Sequence, residues 1–220
     1  MSTRKTAFVL EENYHIYNRG NSKQNIFLDE KDYQRFVDLL YAINREEKFN
    51  FSDSLKGVPV YNKSSKNQLV AIGAYCLMPN HFHILITPLS ENGISKFMQK
   101  LSTAYVMYFN QKYKRTGALF EGKFKSQYIG NDKYLKYIYS YIHLNPVKLI
   151  QKNWKENGIK NKKETIKYLS EYKYSSFIDY LDTKRPQNII INKNKFPDYF
   201  SNKNDILNEI FVWISFEPTL

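Results

Sequence analysis

At 220 residues, with 42% hydrophobic and 16% aromatic side chains, the chain can bury a sizeable core, which excludes wholesale disorder. Lysine and arginine outnumber the acids 33 to 21, for a net charge of +12, and this favours a polyanionic partner, nucleic acid ahead of an anionic membrane surface. The single cysteine, Cys76, leaves no disulfide, the N-terminal apolar stretch is too short for a signal peptide, and no apolar run approaches the ~18 residues of a membrane span, so a soluble, cytoplasmic protein is expected.

Residues 13–18 alternate like a strand, and Arg19-Gly20-Asn21 ends them with turn chemistry. Asp29 is placed to cap a helix running to about Glu47, with Phe36, Leu39, Leu40 and Ile43 at helical spacing. The polar stretch 50–67, containing Gly57 and Pro59, reads as a connecting insertion. A second strand is predicted from Leu69 to Met78, a tight connection at Pro79-Asn80, and a third strand from His81 to Thr87. From Ser90 the period becomes helical, with Ile94, Phe97, Met98, Leu101, Tyr105, Tyr108 and Phe109 on one core stripe.

Thr116-Gly117 breaks that helix, and Leu119 to Ile129 reads as strand or extended loop. Asn131 or Asp132 then caps a helix that Pro146 stops. Beyond residue 150 the chain is rich in Lys and Asn, with a predicted helix near 164–181 and a short apolar end from Ile206 to Phe216. A few antiparallel-type strands alternating with long helices argue for an α+β fold, an open sheet with helices packed on one face.

His81 and His83 carry half of the chain's four histidines and stand two apart in an apolar strand. A period of two sends both imidazoles to one face and Phe82 to the other. Two neutral imidazoles on a rigid strand suit a divalent metal, Mg²⁺ or Mn²⁺, provided a third ligand arrives from elsewhere. Tyr141 and Asn145, at i and i+4, share one face of the helix that ends at Pro146. Packed against the strand, that face brings the Asn145 amide oxygen to the metal and the Tyr141 phenol to a metal-bound phosphate. The chemistry that follows is tyrosine attack on a phosphodiester. His143 lies on another face, where it is expected to meet solvent or DNA, and His15 is either a neighbour of the site or a sheet-packing residue.

Four segments together resemble a known family: Tyr14-His-Ile-Tyr-Asn-Arg-Gly20, Ala74-Tyr-Cys-Leu-Met-Pro-Asn-His-Phe-His83, Gly117-Ala-Leu-Phe-Glu-Gly-Lys-Phe-Lys125 and Tyr141-Ile-His-Leu-Asn-Pro-Val-Lys148. They are similar to the REP-associated tyrosine transposases, relatives of the HUH single-strand transposases of the insertion-sequence 200 type. The resemblance implies a ferredoxin- or RRM-like HUH fold that cuts single-stranded DNA beside a hairpin through a covalent 5′-phosphotyrosine. It places the nucleophile at Tyr141 and the metal ligands at His81, His83 and Asn145, the last being Gln in many insertion-sequence relatives. Tyr137 and Tyr139 are the alternative nucleophiles.

Arg19, Arg115, Lys123, Lys125 and Lys148 are the candidate DNA contacts, and Phe120 and Phe124 either stack on bases or pack in the core. The resemblance covers roughly 12–150, so residues 1–150 are expected to be the catalytic domain and 151–220 a basic extension of unassigned role. Either a monomer or a homodimer is compatible with the family. Two other readings compete: a non-catalytic single-strand nucleic-acid-binding module, and a metal-dependent nuclease that uses water.

Overall fold

The computed structural model describes residues 7–47, 61 and 67–215, so the connecting insertion expected at 50–67 lies almost wholly outside the described residues. Among these, strands β1 (Asn13–Arg19), β2 (Val70–Met78), β3 (His81–Pro88) and β4 (Lys125–Ile129) form one antiparallel sheet in the order β2-β3-β1-β4. The longer helices are α1 (Glu30–Ala42), α2 (Gly93–Lys112), α3 (Asp132–Leu144), α4 (Lys162–Glu171) and α5 (Lys203–Ser215). This is the open antiparallel α+β architecture the sequence predicts.

Side-chain alternation divides the core in two. Tyr14 and Ile16 of β1, Tyr75 and Leu77 of β2, and Phe82, Ile84 and Ile86 of β3 face α1 and α2, where they meet Phe36, Leu40, Phe97, Leu101 and Tyr105. The opposite face, expected to be open, is covered over its β2–β3 half. Ala74, Cys76, Met78 and Leu85 pack there against Ile138, Tyr139 and Ile142 of α3 and against Phe177, Tyr180 and Phe196 from the C-terminal residues. Helices therefore lie on both faces. The second face opens only toward β4, where Lys125 and Gln127 are exposed, while on β1 His15 is buried and Tyr17 half-buried.

The C-terminal residues also finish the sheet. β2 is an edge strand, and an edge strand exposes unpaired backbone groups. Here they are satisfied one after another. Tyr75 N–H donates to Ser176 Oγ (2.8 Å), and Leu77 N–H donates to the Tyr174 carbonyl (2.9 Å). The Ile72 carbonyl accepts from Asn192 N–H (2.9 Å), and the Gly73 and Leu77 carbonyls accept from the Tyr180 and Tyr172 hydroxyls (both 2.7 Å). Gly73 sits at a register shift between β2 and β3, and a Cβ there would stand 2.7 Å from Tyr139 Oη and 2.9 Å from the Phe196 ring.

Two helices stop short of their predicted ends because their next residues are used elsewhere. α1 begins as expected, with an Asp29–Asp32 capping box, but ends at Ala42 rather than near Glu47. Asn44 leaves the helix to pair with Val70, donating from Nδ2 to its carbonyl (2.8 Å) and accepting from its amide (3.0 Å). The helix predicted over 164–181 ends at Glu171, since Tyr172 and Tyr174 turn along the β2 edge. The apolar end is helical within α5 from Ile206 to Ser215, and Phe216 lies outside the described residues.

Candidate active site

The Pro79-Asn80 turn fixes where the histidine strand starts. The Pro79 carbonyl accepts from the amides of Ile26 and Phe27, and the Asn80 carbonyl accepts from Gly20 N–H, all within 3.1 Å. A side chain at residue 20 would lie 2.2 Å from the Gln24 carbonyl, so this clamp depends on glycine. β3 then sets His83 opposite Tyr17 of β1 and His81 opposite Arg19. As the alternation predicts, Phe82 enters the α1–α2 core while both imidazoles face the other way.

α3 crosses that face, started by the Asn131 side chain accepting from Tyr134 N–H. It delivers Tyr141 to the histidines of its own chain: the Tyr141 ring centroid lies 5.5 Å from His83 and 5.8 Å from His15. His81 and His83 are 5.1 Å apart, ring planes near perpendicular. Arg19, Lys125 and Lys148 join Tyr141 and the two histidines around a cleft of about 340 Å³. On its other side Tyr141 borders a second hollow, which opens over the sheet between His15 and Gln127.

Both imidazoles are kept neutral. Burial, then the charges of Lys148 and Arg19, lowers His81 to about 4. Burial, then His15, His81, Lys148 and Lys155, holds His83 well below the ordinary histidine range. Burial and the neighbouring Tyr137, Tyr17 and Tyr134 raise the Tyr141 phenol, against an Asn145 hydrogen bond that lowers it. The phenol is therefore protonated at neutral pH until something stabilises its anion.

Asn145 is buried and turns its Nδ2 back to the Tyr141 carbonyl (2.8 Å), the helix-capping posture; it does not line the cleft. Of the alternative nucleophiles, Tyr139 is sealed in the core with its phenol pushed up by burial, while Tyr137 is half-buried between Tyr134 and Trp213. His143, expected to meet solvent or DNA, is instead fully buried, with Nε2 2.8 Å from Ser176 Oγ. The face of α3 opposite Tyr141 is the one that packs on β2.

Arg19 forms an exposed ion pair with Glu121 (2.9 Å) at the cleft rim. Neither Arg115 nor Lys123 lines the cleft, and the Arg115 guanidinium lies 5.6 Å over the Phe109 ring. Phe120 is buried against Phe82, and Phe124 packs beside the same core, facing Phe8. Two site residues stand out only in three dimensions. His15 hydrogen-bonds His83 across the sheet, and Lys155 reaches over the Tyr141 ring at 4.7 Å. Period-two parity marks His15 and Tyr17 as face-mates, but only the β1–β3 register brings them to His83; Lys155 lies outside every recognised segment.

The sequence profile of IS200-like transposases matches residues 9–145. Among solved structures, a REP-associated tyrosine transposase bound to a REP hairpin superposes with a TM-score of 0.50 at 15% identity, covering 81% of this chain and 84% of that one. A putative transposase from Deinococcus radiodurans matches more loosely, with a TM-score of 0.35 at 18% identity over 64% of this chain and 95% of its own. No curated protein matches.

Proposed function

The chain belongs to the IS200-like transposase family, a profile match spanning residues 9–145, and from that premise we propose that it cuts and rejoins single-stranded DNA beside a hairpin with Tyr141 as nucleophile. The observation that carries this reading is the Tyr141 ring 5.5 Å from that of His83, in one chain, at a cleft rimmed by Arg19, Lys125 and Lys148. No second copy is needed to bring the tyrosine to the histidines, so a monomer suffices.

His81 and His83 fit a divalent ion. Both are neutral, and each has its Nδ1 engaged from behind, by Asn80 Oδ1 and by His15 respectively, which leaves Nε2 as the ligating atom. No group of three His, Cys, Asp or Glu among the described residues is placed to hold a metal. The third protein donor in this reading is the Asn145 amide oxygen, which would have to turn from its capping position on the Tyr141 carbonyl into the cleft. A bound Mg²⁺ or Mn²⁺ supplies charge neutralisation at the phosphate oxygens, worth several kcal/mol of barrier.

Tyr141 Oη attacks phosphorus, forming one P–O bond while the bond to the 3′ oxygen breaks. The phenol proton ends on that leaving oxygen, giving a 3′-hydroxyl and a 5′-phosphotyrosine. Burial raises the phenol, so the free protein does not favour its ionised form. Energy of the broken diester is kept in the phosphotyrosine, so rejoining is the same step reversed.

Lys125, Lys148 and Lys155 attract the phosphate backbone. Arg19 can exchange its exposed carboxylate partner Glu121, a weak solvent-screened pair, for a phosphate. The exposed β4 edge of this face, at Lys125 and Gln127, offers the single strand a path to Tyr141.

The test is incubation with hairpin-bearing single-stranded DNA and Mn²⁺. Wild type should form an adduct that survives denaturation, and Tyr141→Phe should bind the same DNA without forming one. His81→Ala and His83→Ala should abolish metal-dependent cleavage. Cleavage without any adduct would instead assign water as the nucleophile, and binding with neither would assign a binding module.

A further inference from the structure

The two site histidines are held from behind in different ways, and one of the holders is itself a histidine. His15 Nε2 lies 2.9 Å from His83 Nδ1, with ring planes 24° apart and both side chains buried. Asn80 Oδ1 lies 2.6 Å from His81 Nδ1. The Asn80 amide is oriented by its own Nδ2, which donates to the Lys23 carbonyl (3.1 Å), so the atom turned to His81 is an acceptor. An acceptor there requires His81 to carry its proton on Nδ1, leaving Nε2 with a free lone pair.

The His15–His83 contact allows two arrangements, because one proton lies between two neutral imidazoles. Donation from His15 would force the His83 proton onto Nε2 and block that atom as a ligand. Donation from His83 to His15 leaves His83 Nε2 free, the same tautomer that Asn80 imposes on His81. Resting on the metal-dependent reading above, we propose that His15 is a positioning residue: it accepts from His83 Nδ1–H and so fixes the tautomer and orientation in which His83 holds the divalent cation. It touches neither DNA nor metal. Its place on β1, diagonal to His83 across the β1–β3 pair, lets the sheet itself set the geometry.

Two measurements test this. In metal-free wild type, ring-nitrogen NMR should find the His83 proton on Nδ1; a proton on Nε2 overturns the proposal without any metal or DNA being present. Mn²⁺ binding is then measured for wild type, His83→Ala, His15→Phe and His15→Gln. His15→Phe keeps a planar ring but no acceptor and should weaken Mn²⁺ binding by about 10–100-fold. His15→Gln, which restores an acceptor, should recover most of that loss, as a merely space-filling role would not require. Unchanged affinity in His15→Phe, alongside loss in His83→Ala, refutes the role of His15 alone. If wild type binds no Mn²⁺, the metal reading falls and this role with it. Should His15→Phe fail to fold, His15→Gln and the wild-type tautomer still decide.

Discussion

Ser176→Ala tests whether the C-terminal residues are part of the fold that aims Tyr141. Ser176 Oγ is a shared partner: it accepts from Tyr75 N–H at 2.8 Å, contacts the Tyr75 carbonyl at 3.2 Å, and lies 2.8 Å from His143 Nε2. Ser176 and His143 have no exposed surface, and Tyr75 is equally sealed. Removing the hydroxyl strands a backbone donor of β2 and an imidazole nitrogen of α3 where water cannot replace it. Each unsatisfied buried group costs about 1–3 kcal/mol, so with two of them the expected destabilisation is about 2–6 kcal/mol. Urea unfolding followed by far-UV circular dichroism should show a lower midpoint at unchanged slope, and the melting temperature should fall by about 2–4 °C per kcal/mol for a chain of this size. A loss below about 0.5 kcal/mol, the range of ordinary surface substitutions, would refute the reasoning that these bonds tie α3 and the β2 edge together.

Asp32 accepts from Tyr113 Oη, Lys112 Nζ, Tyr108 Oη and the Leu28 amide. Burial pushes its carboxyl up, but Lys112, the Leu28 amide and the two phenols outweigh that and hold it below the usual carboxylate range. Its contribution is therefore complete above about pH 4 and lost as pH falls below that. Asp32→Asn should cost about 1.5–3 kcal/mol at pH 7 and flatten the acid limb of the stability–pH curve; an unchanged acid limb would contradict this. Gly73→Ala forces a Cβ to 2.7 Å from Tyr139 Oη and should cost about 1–3 kcal/mol in the same unfolding assay. Cys76 is fully buried and burial raises its thiol, so maleimide should label it only after unfolding, and rapid native labelling would contradict the packing of β2 under α3.

The site was legible to the extent that it is local. His81 and His83 share a face by period two, Tyr141 stands on the face of α3 turned to them, and the Asp29 and Asn131 caps are written in short-range chemistry; Asn145, one turn beyond Tyr141, caps the helix instead of lining the cleft. Whatever needs register was not. His15 becomes a partner of His83 only once β1 pairs with β3 in one alignment, since a shift by one residue would turn His15 to the opposite face. The second helical layer left a signal that alternation obscured. Val70-Ala-Ile-Gly-Ala-Tyr-Cys-Leu-Met78 has no charged or amide side chain and no apolar/polar alternation, as a strand buried on both faces requires. The ends of α1 and α4 follow from tertiary bonds made by Asn44 and by Tyr172–Tyr174, which outweigh helix propensity and have no local sequence mark.

The central claim is that the phenol of Tyr141, and no other group, becomes joined to DNA. The most direct measurement is mass mapping of the peptide that carries nucleotide after reaction with Mn²⁺ and single-stranded hairpin DNA from the flanks of the chain's own gene. The geometry predicts one modified peptide, with the 5′-phosphate on Tyr141 and no adduct in Tyr141→Phe. An adduct on Tyr137 or Tyr134, or DNA cut with no protein attached, would contradict it.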